Sequence, residues 1–94
     1  MSTKSFSFKN TNSKNTIRIS TVGSVIDFSQ KNTFVSVYIN GNESQPHREF
    51  NAELLIAENN QPRSSSFDIP IVAQEILIVV TANYDLTPIH AALY

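Results

Sequence analysis

The stretch that decides the fold is QEILIVVTANY, residues 74–84, whose centre Ile76-Leu77-Ile78-Val79-Val80 is an unbroken aliphatic run. It is too short for a membrane helix and rich in the β-branched residues that suit a pleated strand. Successive side chains of a strand point to opposite faces, so a strand with one wet face alternates apolar and polar. Here both parities are apolar. Ile76, Ile78 and Val80 are assigned to a core, and Leu77 and Val79 to a second face that needs its own cover.

Shorter runs on either side alternate with period two. Phe6 and Phe8 share one parity in SFSF, as do Ile17 and Ile19 in TIRIS and Ile26 and Phe28 in VIDF. In TFVSVYI, Val35, Val37 and Ile39 point one way and Phe34, Ser36 and Tyr38 the other. Phe67, Ile69 and Ile71 continue the pattern in SFDIPIV, where Pro70 lacks a ladder donor and marks an edge strand or a bulge. Short alternating runs broken by turn residues every ten or so positions predict an all-β chain, a single antiparallel β-sandwich of about seven strands with Ig-like or jelly-roll-like layering. FNAELLIAE (50–58) fits a strand through Phe50, Ala52, Leu54 and Ile56. It also fits a helix capped by Ser44, so the competing reading is an α+β fold with one helix near 50–58.

Asparagine makes the turns, since the chain has only two glycines. Asn tolerates left-handed backbone and hydrogen-bonds its own chain, which suits NTNSKN (10–15), QKN (30–32), NGN (40–42) and ENNQP (58–62). Asn40-Gly41 is a hairpin signal, but the polar run after it predicts a longer loop from Asn40 to His47. This loop and the turn at 58–63 carry almost no apolar anchor, and substitution at Asn42, Glu43 and Ser44 should be tolerated. Residues 1–94 read as one domain, with 1–4 as a free tail.

Charged residues make up 16% of the chain, below the usual quarter, and Asn, Ser and Thr fill the difference. The few basic residues are too spaced to track phosphates, which argues against nucleic acid. No run is long enough to span a membrane, and no signal-peptide core is visible, so the expected setting is cytoplasmic or release without a cleaved signal. Up to Lys31 the charges sum to +4, and beyond it to −5, a polarity that would favour ordered self-association.

Catalytic and metal signatures are missing. The chain has no cysteine and two histidines. His47 and Glu49 have i, i+2 spacing on a strand, yet a third metal ligand would have to come from Glu43 or His90. Glu49 and Glu53 are the nearest carboxylate pair, but a domain this small offers little depth to raise a pKa for acid catalysis. No G-x-S-x-G, P-loop or dinucleotide fingerprint is present. The expectation is a protein that is not an enzyme and uses no cofactor.

Two surfaces remain. Leu77 and Val79 would be covered by the C-terminal segment LTPIHAALY, through Leu86, Ile89, Leu93 and Tyr94, or by a second chain. Those six residues form the candidate interface. Phe34 and Tyr38, with Asn40, Asn42 and Glu43, form a candidate carbohydrate-binding set in which aromatic rings stack on a sugar and polar groups meet its hydroxyls. The leading functional expectation is a structural or protein-binding module that self-associates through sheet surfaces, with a homo-oligomer or another protein as partner. The alternative is a small lectin-like protein that binds glycan.

Overall fold

The computed structural model describes residues 2–21, 33–52, 64–87 and 89–94. They form seven strands: β1 (Ser2–Lys9), β2 (Thr16–Thr21), β3 (Thr33–Ile39), β4 (Arg48–Asn51), β5 (Ser64–Asp68), β6 (Glu75–Ala82) and β7 (Ile89–Leu93). Two antiparallel sheets result, one ordered β1-β6-β3-β4 and the other β5-β2-β7. The all-β, sandwich-like expectation holds. Among the described strands only β3 and β4 are both consecutive and paired. The others pair across the chain, so the sheets assemble from distant segments.

The core is what the alternation predicts. Ile17, Ile19, Val35, Val37, Ile76, Ile78, Val80 and Ile89 are fully buried or nearly so. Phe6, Phe8 and Ile39 pack against them from half-buried positions. The two sheets are tied at both sides. On one side, the rings of Phe50 (β4) and Phe67 (β5) meet edge-on at 5.0 Å, and the Arg48 guanidinium lies 4.8 Å from the Phe50 ring. On the other, the Lys4 ammonium donates to the carbonyl oxygens of Ile89 at 2.8 Å and Thr87 at 3.2 Å, with Leu86 at 3.5 Å.

That lysine corrects the expectation of a free tail. Ser2–Lys4 belong to β1 and pair with Val80–Ala82 of β6. Lys4 shares the parity of Phe6 and Phe8 and points inward from the sheet edge. An inward charge on an edge strand also hinders further strand addition there.

The C-terminal segment is likewise not a cover for Leu77 and Val79. Residues 89–93 are β7, paired with β2 in the opposite sheet, and Leu86 and Ile89 are core residues. They oppose the inner face of the first sheet. Pro70 does lie at an edge strand, but beyond its end. The Ala73 amide donates to the Pro70 carbonyl at 3.0 Å, and this turn breaks the period so that buried Ala73 replaces Ile71. Ile71 and Val72 are left 58% and 73% exposed.

The 40–47 loop has the expected limits. Asn40 and Gly41 both have left-handed φ values, 54° and 75°, and the Asn42 amide closes the turn onto the Ile39 carbonyl at 3.1 Å. The loop then continues to His47, whose amide donates to the Val37 carbonyl. Ser44–Pro46 lie in this loop and Phe50 pairs with Val35, so no helix begins here. Residues 53–58, the turn at 58–63 and the VIDF run lie outside the described residues.

Candidate functional site

Strand pairing sets out the outer face of the first sheet row by row. Thr3, Thr81, Phe34 and Asn51 lie abreast across β1, β6, β3 and β4. The next row is Ser5, Val79, Ser36 and Glu49, and the next is Ser7, Leu77 and Tyr38. Lys9 and Glu75 face each other at the end. The aliphatic pair on β6 therefore lies beside the aromatic pair on β3. Two candidate sets that the sequence kept apart share one surface.

The centre of this face carries no charge. Leu77, Val79 and Tyr38 are half-buried by their neighbours, and Phe34 is 38% exposed. Lys9, Glu75 and Glu49 stand at its margins, and Ser and Thr fill the β1 side. The outer face of the second sheet differs. It presents Thr16, Arg18, Ser66, Asp68, His90, Ala92 and Tyr94, with the Arg18 guanidinium 4.9 Å from the Tyr94 ring.

The six interface candidates are therefore divided. Leu77 and Val79 lie on the outer face of the first sheet, Leu86 and Ile89 are core, Leu93 packs against the core, and Tyr94 lies on the outer face of the second sheet. The physical reason is that β7 begins by burying Ile89, which commits its parity to the interior.

The carbohydrate candidates are divided too. A groove of about 500 Å³ opens at the Lys9–Glu75 end of the first face, lined by Ser7, Phe8, Lys9, Tyr38, Gly41, Glu43, Glu75, Ile76 and Leu77. Tyr38 and Glu43 belong to it. Phe34 is four residues up the strand, roughly 13 Å away. The Asn40 side chain is already engaged, since its Oδ1 accepts from the Gln74 amide at 2.8 Å and from the Glu75 amide at 3.3 Å. Asn42 lines a separate, smaller hollow with Ile39, Gln45, Pro46 and His47, and its Oδ1 accepts from the Ser44 hydroxyl.

Lys9 and Glu75 were not foreseen as part of a site. Both flank recognisable strands, but nothing in the sequence says that β1 and β6 are neighbours. Among the described residues, chain-level charge polarity does not sort into separate sheets either. β1 and β2, which carry Lys4, Lys9 and Arg18, each lie beside strands from the acidic half. His47 is exposed in the loop before β4 and His90 on β7, and no three His, Cys, Asp or Glu side chains cluster at metal-binding distance among the described residues.

Comparison with protein-family models, curated proteins and solved structures finds no match for this chain.

Proposed function

We propose that this protein is a non-enzymatic module that self-associates, two copies packing the outer faces of their β1-β6-β3-β4 sheets together. The observation that supports this reading is the layout of that face, an uncharged apolar centre with a polar rim, which is the anatomy of a protein interface. A two-fold axis parallel to the strands, between β6 and β3, would set the aliphatic pair of one copy on the aromatic pair of the other. It would also bring the β1 edge over the β4 edge, with Ser5 of one copy opposite Glu49 of the other.

Strands of eight, eight, seven and four residues, about 4.8 Å apart with a rise of roughly 3.3 Å, give a face of about 430 Å². Two such faces reach about 860 Å², below the roughly 1,200–2,000 Å² of stable complexes. The association is therefore weak, with a Kd above about 1 μM. Sedimentation velocity from about 10 μM to about 1 mM should show a concentration-dependent dimer. Val79→Lys should remain monomeric throughout and keep its fold, because a lysine at a half-buried outer position extends its ammonium to water. A wild-type protein that stays monomeric over the whole range, or a Val79→Lys variant that dimerises as before, refutes the reading.

A further inference from the structure

We infer that the groove between β1, β6 and the Asn40–Gly41 turn is a binding site for a neutral sugar, one pyranose unit of a glycan. The inference does not rest on self-association. A volume of about 500 Å³ is in the range of small-molecule sites, roughly 300–1,000 Å³. Its lining is amphipathic in the way a pyranose is. Tyr38 and Leu77 offer an apolar surface to the C–H face of the ring, while Glu43, Glu75, Lys9 and the Ser7 hydroxyl can meet its hydroxyl groups.

Charge selects among ligand classes. The two carboxylates oppose an anion, and the Lys9 ammonium offsets part of their pull on a cation. A neutral polyol is favoured by both, because each hydroxyl can donate to a carboxylate and accept from an ammonium. One wall of the groove is fixed in advance. The Asn40 amide donates to the Glu75 carbonyl at 2.7 Å, and the Asn40 side chain accepts from the amides of Gln74 and Glu75. These bonds hold the left-handed Gly41 turn beside the Glu75 carboxylate, where a Cβ added at Gly41 would lie 3.9 Å from Oε2. Less loop freedom is then lost on binding.

The test is an amide NMR titration of the wild type and of Val79→Lys with methyl glucoside, methyl mannoside, methyl galactoside and N-acetylglucosamine. Each is taken to about 50 mM, to reach the millimolar affinities of shallow sites. Arginine methyl ester and inorganic phosphate serve as charged controls. At least one sugar should give saturable shifts at Gly41, Glu43, Glu75 and Leu77 in Val79→Lys, with an equal or weaker response in the wild type, where self-association would cover Tyr38 and Leu77. Tyr38→Ala and Glu43→Gln should each weaken it by about tenfold. Glu43 is on an exposed loop, so its variant remains informative even if Tyr38→Ala fails to fold. The assignment is overturned if no sugar shifts these amides, if Glu43→Gln binds as the wild type does, or if either charged control saturates the groove more tightly. Binding to Val79→Lys is read whether or not the wild type dimerises, so the two proposals fail separately.

Discussion

Asn40 joins the hairpin loop to the start of β6, and three substitutions there separate its backbone contribution from its side-chain contribution. Its φ of 54° is left-handed, where a non-glycine residue without local compensation is strained by roughly 1–2 kcal/mol. Its Oδ1 accepts two amide hydrogen bonds, from Gln74 at 2.8 Å and Glu75 at 3.3 Å. Both donors are on exposed residues and can turn to water, so the pair together contributes about 1 kcal/mol, the longer bond less than the shorter. Asn40→Ala loses the acceptor and leaves an intolerant residue in a left-handed turn, at a cost of about 2–2.5 kcal/mol. Asn40→Gly loses only the acceptor, at about 1 kcal/mol, because glycine adopts this backbone freely. Asn40→Asp keeps both acceptor and left-handed tolerance and should lie within about 0.5 kcal/mol of the wild type. In a domain of 94 residues each kcal/mol moves the Tm by roughly 4–8 °C. Thermal and urea unfolding should therefore rank the variants Asp, Gly, Ala in order of increasing damage. If Ala and Gly were equally stable, the turn would not carry the backbone constraint. If Asp were as damaging as Gly, the amide bonds to Oδ1 would not matter.

Lys4→Met keeps an aliphatic stem but removes the donors to the 86–89 carbonyls, and should cost about 1 kcal/mol after discounting for solvent, without changing the strand pairing. Urea unfolding measures it, and a neutral result would mean that the inter-sheet tie adds nothing. Among the described residues, two side chains make stability depend on pH. Asp85 is held below the usual carboxylate range by the Thr87 hydroxyl and then the Thr87 amide, both donating to its Oδ1. Its contribution is therefore present above pH of about 4 and lost as pH falls through the depressed value, and Thr87→Val should narrow that loss in an acid-unfolding series. The Tyr84 hydroxyl is raised by burial, opposed by its hydrogen bond with Thr33. Its contribution is complete below pH of about 10 and lost as pH rises through the raised value, which ultraviolet titration of the phenol follows.

The parity of β1, β2, β3 and β6 was legible in the sequence because it depends only on neighbours two residues away. Ile17 and Ile19, Val35 and Val37, and Ile76, Ile78 and Val80 are inward for that reason, and so is Lys4, whose parity matches Phe6 and Phe8 once the strand is extended to Ser2. The left-handed turn at Asn40-Gly41 was legible on the same local grounds. What surrounds each strand was not. Pairing between β1 and β6 joins residues 66 to 80 positions apart, and no local pattern encodes that choice. Only the tertiary structure placed Leu77 beside Tyr38, put Lys9 and Glu75 at one groove, and sent 89–93 into the opposite sheet. Alternation fixes which side of a strand is apolar. Which strand lies next to it is decided by how all the apolar faces can be buried at once.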